Sequence, residues 1–274
     1  MPESAYEFAT INGHRLRLSV RGEGPLAVFG HGLLGSIEQI EEHLPDLEEL
    51  HDLVRLAVYD ARGHGRSDGP DDSAGYSWEW LGRDMVSLAE HLGESTAVFG
   101  GASMGAAAAL WAAVEQPDRV RALVLVMPPP LGPLEIRGED ERAAVRALDF
   151  ISAAVSNFGL DKAAELAAAM PSAIGTGEER AAWIRSQSPR ALAYAIRGLL
   201  SSPFHQPQDY SRITAPALVI AHEGDGLHPV RAARLLQEHI PNCRLVVAPS
   251  RAYWREHPEE FFGAIRAFRD EVLS

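Results

Sequence analysis

The sequence predicts an α/β protein with a doubly wound, mostly parallel sheet and a helical lid inserted after the sixth strand. Short apolar runs alternate with amphipathic helical patterns along the 274 residues, which is the order expected of a doubly wound sheet. Most of these runs lack polar alternation, as is typical of parallel strands covered on both faces. One long stretch, residues 131–212, interrupts the alternation with helical patterns alone.

The first two strands form a predicted hairpin. Residues 5–10 and 14–21 lie on either side of Asn12-Gly13, and Asn-Gly between two strand patterns is a strong signal for a tight turn. We expect this hairpin to lie at an antiparallel edge of the sheet. The other six strands are predicted at residues 25–30, 53–60, 95–101, 120–128, 215–223 and 243–249.

Helices are predicted between the strands. Trp78, Leu81 and Met85 recur at spacings of three and four residues, so one face of their helix is apolar. Pro45 breaks the first helical pattern, whereas Pro229 and Pro258 suit the starts of the last two. The predicted helices cover residues 37–50, 77–92, 104–116, 229–240 and 258–273.

The long helical stretch predicts a division into a core, residues 1–130 and 213–274, and a lid, residues 131–212. We expect the lid to cover the carboxyl end of the sheet, where open α/β sheets bind ligands. Its large apolar side chains indicate an apolar pocket, although the same side chains suit a packed core: Phe158, Met170, Trp183 and Tyr194.

Composition narrows the expected partners. The chain carries 25 Lys and Arg against 38 Asp and Glu, a formal net charge of −13, which disfavours nucleic acid and anionic membranes. The charge does not identify a substrate and suits a solvated surface. We expect a small-molecule substrate, and the oligomeric state stays open.

Several features favour a cytoplasmic location. The single cysteine, Cys243, lies in an apolar run and excludes a disulfide within the chain, which fits a reducing compartment. The first residues show no signal-peptide pattern, and no run of 18 apolar residues predicts a membrane span.

Ser103 is a candidate nucleophile. It lies in Gly101-Ala102-Ser103-Met104-Gly105, between a predicted strand and a predicted helix, which is the context of a nucleophile elbow. The Met104 N–H would then face a developing oxyanion, and the Leu33 N–H in "HGLLGS" would supply the second donor. The alternative is that the serine only begins an Ala-rich helix. His31, beside Leu33, is better explained as a structural histidine than as a base.

Four segments together resemble the esterase, lactonase and haloperoxidase-like branch of the α/β-hydrolase superfamily: "HGLLGS", "YDARGHGRSDGP", "GGASMGA" and "GDGLHP". The resemblance spans nearly the whole chain outside the lid. It implies a serine hydrolase that acts on a small ester or lactone through an acyl-enzyme, with no metal or organic cofactor. It also implies that Asp225 is the acid of a catalytic triad and that His64 has a structural role.

The chain departs from this family at the catalytic histidine. The resemblance places that histidine after the last strand, where counting back from Pro258 gives Arg251, preceded by Ser250. A guanidinium has no lone pair with which to accept a proton. His228 and His222, three residues to either side of Asp225, are the candidate substitute bases.

Two alternatives to a substitute histidine stay open. In the first, Ser103 is acylated slowly without a base, and Arg251 binds an anionic substrate. In the second, the chain is a catalytically silent or non-hydrolytic member of the fold, of cyclase or lyase type, that binds a small ligand. His257 lies at a helix start and is expected to be too far from Ser103 to act as the base.

Overall fold

One eight-stranded sheet organises the chain. A computed structural model describes residues 6–43, 50–130, 132, 137–169 and 176–273. The strands lie side by side in the order β1-β2-β4-β3-β5-β6-β7-β8. Their bounds are β1 (Glu7–Ile11), β2 (His14–Arg21), β3 (Leu26–Gly30), β4 (Arg55–Tyr59), β5 (Ala97–Ala102), β6 (Val120–Val126), β7 (Ala217–His222) and β8 (Cys243–Ala248). All eight predicted strands are present.

The predicted hairpin and the predicted parallel sheet are confirmed. β1 pairs antiparallel with β2, and Ile11 lies opposite His14 across a turn in which Asn12 has φ 46° and Gly13 has φ 84°. Positive φ at both central residues is what a tight hairpin turn with matching twist requires. β2 also pairs antiparallel with β4. The remaining neighbours in the sheet pair in parallel: β4 with β3, β3 with β5, β5 with β6, β6 with β7 and β7 with β8.

The helices lie between the strands as predicted, with one addition. They are α1 (Ile37–His43), α2 (Trp78–His91), α3 (Met104–Glu115), α4 (Glu139–Ala169), α5 (Gly177–Ser186), α6 (Ile196–Ser201), α7 (Val230–His239), α8 (Arg251–Glu256) and α9 (Pro258–Leu273). The predicted extension of α1 through Pro45 lies outside the described residues. The unpredicted helix is α8, which begins after Ser250, whose hydroxyl accepts a hydrogen bond from the Tyr253 N–H at 3.2 Å.

The segment between β6 and β7, residues 131–212, contains only helices among its described residues. Gly159 breaks α4 with φ 80°, and a short π-helix, Ala191–Ala195, leads into α6. These helices share a core of their own, in which Ala164, Leu192 and Ile196 are fully buried. We call this segment the insertion.

The outer side chains of the insertion differ from the sequence expectation. Phe158 is 66% exposed and Trp183 is 38% exposed, so they face outward and do not line an enclosed pocket. Tyr194 is partly buried against the core of the insertion. Met170 lies outside the described residues.

One stretch of α4, Glu141–Ala169, is long and apolar enough to cross a membrane by length and composition alone. Gly159 interrupts the helical backbone within this stretch, and buried residues such as Ala163 and Ala167 pack into the core of the insertion. Only 17% of its most apolar window is buried, and one such helix is weak evidence for a membrane span.

Candidate active site

Ser103 occupies a sharp turn between β5 and α3. Its backbone has φ 51° and ψ −106°, a conformation that residues with a side chain rarely adopt. The turn is held on both sides, because the Ser103 N–H donates to the Val126 carbonyl and the Ser103 carbonyl accepts from the Ala107 N–H, each at 3.0 Å. A strained serine between a strand and a helix is the geometry of a nucleophile elbow, which exposes the hydroxyl.

The glycines around Ser103 allow close approach of β3 to the elbow. A Cβ at Gly105 would lie 2.2 Å from the Gly30 carbonyl oxygen, and one at Gly101 would lie 2.5 Å from the same atom. Because these distances are far inside van der Waals contact, a side chain at either position would push α3 away from β3. Gly101 and Gly105, two residues to either side of the serine, are thus required by packing.

His228 lies between Ser103 and Asp225. Its Nε2 is 2.9 Å from Ser103 Oγ, and its Nδ1 is 2.9 Å from Asp225 Oδ2. A carboxylate only accepts hydrogen bonds, so Nδ1 carries the proton and donates a hydrogen bond to Asp225. The lone pair of Nε2 then faces the serine hydroxyl. The structure therefore brings together Ser103, His228 and Asp225, three of the residues singled out from the sequence.

Asp225 is fixed by the backbone of its own loop. Its Oδ1 accepts the N–H groups of Leu227 at 2.8 Å and His228 at 3.0 Å. Burial alone would raise the pKa of Asp225, but the hydrogen bond and charge of His228, together with these two N–H groups, hold that pKa well below its usual range. The carboxylate is therefore ionised near neutrality and orients the imidazole beside it.

His222, the other candidate base, has different partners. It is 4% exposed at the end of β7, and its Nδ1 lies 3.0 Å from the Glu223 carbonyl oxygen. Its Nε2 lies 3.6 Å from Asp225 Oδ2 and makes no hydrogen bond within the described part of the chain. The structure thus distinguishes the two histidines: His228 Nε2 lies within hydrogen-bond distance of Ser103 Oγ, whereas His222 Nε2 has no hydrogen-bond partner among the described residues.

Arg251 follows β8, as predicted, but it is the first residue of helix α8, which Ser250 caps, and its side chain is exposed. The Arg251 side chain makes no hydrogen bond or ion pair with a described residue. His257 follows the same helix, where its Nδ1 lies 3.4 Å from Glu259. That Arg251 fills the family's histidine position remains a prediction.

The two predicted oxyanion donors lie at the elbow. Leu33 is in the turn closed by the hydrogen bond from the Gly35 N–H to the Gly32 carbonyl at 2.8 Å, and a Cβ at Gly32 would contact Ser103 Cβ at 3.6 Å. Met104 is the first residue of α3, where the helix dipole favours negative charge. Neither N–H donates a hydrogen bond to another described residue, so both remain available to a substrate oxygen.

Two buried histidines near the site have structural partners. His31 accepts the Ala61 N–H at Nε2 (3.0 Å), so its Nδ1–H donates to the Gly32 carbonyl (2.7 Å). Burial lowers the pKa of His31 to about 4, which keeps the ring neutral and the turn beside Leu33 tied down. Burial also lowers the pKa of His64 to about 3, and its Nδ1 lies 2.9 Å from the Arg62 carbonyl oxygen. These backbone contacts agree with the structural roles expected for the two histidines.

The loop after β4, residues 60–70, is fixed by charged side chains whose contacts the sequence did not reveal. The Asp60 carboxylate accepts the Ile37 N–H at 2.8 Å and the Arg66 N–H at 2.9 Å. Arg62 donates two hydrogen bonds of 2.6 Å to Asp84, and both side chains are buried. Buried pairs of this kind hold a loop in one conformation, and this loop lies beside His31.

Other side chains with reactive or metal-binding atoms lie away from Ser103. Cys243 begins β8, at the opposite end of the parallel strands from Ser103, and burial raises the pKa of its thiol to about 11, so it is protonated near neutrality. His257, Glu259 and Glu260 place potential metal-ligand atoms within 4.8 Å of one another between α8 and α9. The two glutamates are exposed, and none of the three contacts the Ser103 site.

The chain resembles known hydrolases along most of its length. It is 28% identical over 270 residues to 2-(acetamidomethylene)succinate hydrolase of Mesorhizobium japonicum, covering 93% of this chain and 92% of the relative. It is 26% identical over 254 residues to 3-oxoadipate enol-lactonase 2 of Acinetobacter baylyi, covering 90% and 89%.

Solved structures show the same architecture. A thermophilic esterase from Thermogutta terrifontis superposes with a TM-score of 0.76 at 24% identity, over 98% of this chain and 99% of that one, which supports the fold. The relatives support a hydrolase of this fold for this chain. The sequence model of the α/β hydrolase fold family matches residues 25–252, from β3 through the elbow to α8. This match covers most of the chain, including the parallel strands that carry Ser103, and the chain therefore belongs to the α/β hydrolase fold family.

Proposed function

We propose that the protein is a serine hydrolase that acts on a small ester or lactone through an acyl-enzyme. One observation carries the proposal: His228 lies 2.9 Å from both Ser103 Oγ and Asp225 Oδ2. In this proposal Ser103 is the nucleophile, His228 the general base and Asp225 the residue that orients it. The backbone N–H groups of Leu33 and Met104 stabilise the oxyanion.

The first half of the reaction forms the acyl-enzyme. His228 Nε2 takes the Ser103 hydroxyl proton as Oγ bonds to the substrate carbonyl carbon, and the carbonyl oxygen becomes an oxyanion. The two N–H groups bind this oxygen more strongly as its charge grows, which lowers the barrier. The C–O bond to the alcohol then breaks, and the imidazolium returns its proton to the leaving oxygen.

The second half restores the enzyme. Water gives a proton to His228 as the water oxygen attacks the acyl carbon. The tetrahedral intermediate then collapses to a carboxylic acid as the bond to Ser103 Oγ breaks and the imidazolium returns the proton to that oxygen. With a lactone, the alcohol released in the first half stays tethered to the acyl group, so the product is a single hydroxy acid. Asp225 stabilises the imidazolium in both halves and stays ionised throughout.

The proposed triad draws its acid and its base from the same loop. The family resemblance placed the histidine after the last strand, whereas His228 lies between β7 and α7, three residues beyond Asp225. With a base in contact with Ser103, there is no longer a reason to expect slow turnover. We therefore expect a kcat on the order of 10 s⁻¹ on a good substrate, a usual value for enzymes.

The insertion is proposed to act as the lid of this site. Leu34, which follows the oxyanion donor Leu33, is 3% exposed and belongs to the core of the insertion, while Leu33 packs against that core and against the core of the sheet. The turn that supplies an oxyanion donor is therefore held by the insertion from one side. The names of the two relatives, a lactonase and a hydrolase, are compatible with an ester or lactone substrate.

Labelling by a fluorophosphonate tests the proposal directly. We expect the intact protein to gain the mass of one phosphonyl group, and Ser103→Ala to gain none. Hydrolysis of a short aryl ester should disappear in the same variant. A parent protein that takes up no label and hydrolyses no aryl ester would contradict the proposal and favour a silent ligand-binding member of the fold.

A further inference from the structure

An ion pair joins the loop that carries Asp225 and His228 to the insertion. Arg231, in the first turn of α7, places Nη2 2.6 Å from Oε2 of Glu141, in the first turn of α4. The Glu141 side chain is 4% exposed, whereas that of Arg231 is 52% exposed. The same Glu141 oxygen accepts the Gly138 N–H, so it also fixes the start of α4.

The loop needs such an external support because its own backbone is permissive. Gly224 has φ 81°, and neither Gly224 nor Gly226 has an atom within 4 Å of the position where a Cβ would be. The hydrogen bonds from Leu227 and His228 to Asp225 fix the internal shape of the loop. They do not fix its position relative to Ser103, which lies in the turn after β5.

The position of the loop is set at its two ends. At the first end, the Glu223 N–H donates to the Ala248 carbonyl at 2.9 Å, which ties the loop to β8. At the second end, Val230 begins α7 and is buried in the core of the sheet, and Arg231 ties the same helix to Glu141 of the insertion. His228 is close to this second end, so the Arg231–Glu141 ion pair lies nearer to it than the contact with β8 does.

A second ion pair on the same helix provides a comparison. Arg234 lies 3.5 Å from Glu223, and both side chains are more than half exposed. An exposed ion pair of this kind contributes little to stability. Removing the partner of a buried carboxylate, in contrast, leaves a buried negative charge without a compensating positive charge. The loss of Arg231 should therefore displace Glu141 and α7 relative to each other, and the loss of Arg234 should not.

We propose that Arg231 and Glu141 are positioning residues for the general base. Their ion pair clamps the start of α7 to the insertion and thereby keeps His228 Nε2 within hydrogen-bond distance of Ser103 Oγ. The inference rests on the proposed serine hydrolase, and it makes the alignment of the base depend on the placement of the lid. Neither residue takes part in the chemistry.

Kinetics on a short aryl ester tests the clamp. Arg231→Met keeps the apolar stem of the side chain and removes its charge. We expect kcat to fall ~10–100-fold, because a displacement of the base by about 1 Å slows catalysis by about this factor. KM should change much less. Arg231→Lys should recover most of the lost kcat. The matched control Arg234→Met should stay within about twofold of the parent. Adding Glu141→Gln to Arg231→Met should cost nothing further, because residues that act as a pair are not additive.

A spectroscopic measurement separates this inference from the proposed function. The His228 Nδ1–H bonded to Asp225 should give a low-field proton NMR signal that disappears in Asp225→Asn. We expect that signal to broaden or move in Arg231→Met and Glu141→Gln but not in Arg234→Met, whether or not the protein hydrolyses esters. An unchanged signal and unchanged kcat in folded Arg231→Met, or equal losses in Arg234→Met, would overturn the clamp. Should Arg231→Met not fold, Glu141→Gln decides the matter by the same two readings.

Discussion

Replacing His228 with Gln tests the assignment of the base. The substitution keeps a polar side chain of similar size but removes the basic ring nitrogen, Nε2, that lies 2.9 Å from Ser103 Oγ. General-base catalysis is typically worth ~10²–10⁴-fold. Because His228 also has the oriented hydrogen bond to Asp225, we expect the loss of kcat to lie near the middle of that range, at ~10³-fold.

His222→Gln is the matched control for this prediction. The Nε2 of His222 lies 3.6 Å from Asp225 Oδ2 and makes no hydrogen bond to Ser103. Its replacement should lower kcat less than ~10-fold, through a small change in the placement of Asp225. The double variant should be no slower than His228→Gln alone, since the second substitution acts only through the base that is already missing.

Steady-state hydrolysis of a short aryl ester, together with the rate of fluorophosphonate labelling, measures both effects. Thermal unfolding shows whether each variant keeps its fold. The reasoning is refuted by a folded His228→Gln that retains more than a tenth of the parental kcat. It is refuted equally by a His222→Gln that loses as much activity as His228→Gln, because His222 would then be the base.

Three further substitutions have expected outcomes. Asp225→Asn should lower kcat up to ~10³-fold, no more than His228→Gln does, because the carboxylate acts through that base. The folded protein depresses the pKa of Asp225, so the stabilisation from this carboxylate is present above about pH 4 and is lost as the pH falls further. Urea unfolding of the variant should therefore depend less on pH in that acid range. Gly105→Ala places a Cβ 2.2 Å from the Gly30 carbonyl oxygen, so it should destabilise the fold by about 1–3 kcal/mol or more in chemical denaturation and abolish labelling of Ser103. Arg251→His should change kcat/KM less than about threefold, because His228 already contacts Ser103 while Arg251 is exposed on α8. A gain of ~10²-fold, the lower end of the range for general-base catalysis, would show that position 251 reaches the serine.

Local sequence patterns were sufficient to predict the fold. The Asn12-Gly13 turn, the apolar strands and the amphipathic helices each depend on residues close together in the chain, and the structure contains all of them. The elbow at Ser103 was predictable for the same reason, since a strand, a tight turn with small residues and a helix follow one another directly. These elements could be read without knowledge of the rest of the molecule.

The sequence could not decide which histidine faces Ser103. His222 and His228 lie at equal distances along the chain from Asp225, and both are at the same edge of the sheet. Their directions differ because His222 is still part of β7 and is buried there, whereas the hydrogen bonds from Leu227 and His228 to Asp225 turn the loop back on itself. That turn brings His228 to a serine 125 residues away, a contact that no local pattern encodes.

Counting residues did not predict the helix that begins at Arg251, for a related reason. The count back from Pro258 assumed a loop after β8, but Ser250 caps a short helix, and a helix advances less per residue than an extended loop and fixes where each side chain points. The insertion shows the same limit: its helices were predicted, but not the outward direction of Phe158 or the ion pair between Glu141 and Arg231. Sequence periodicity determines which residues share a helix face, whereas packing against distant elements determines what that face contacts.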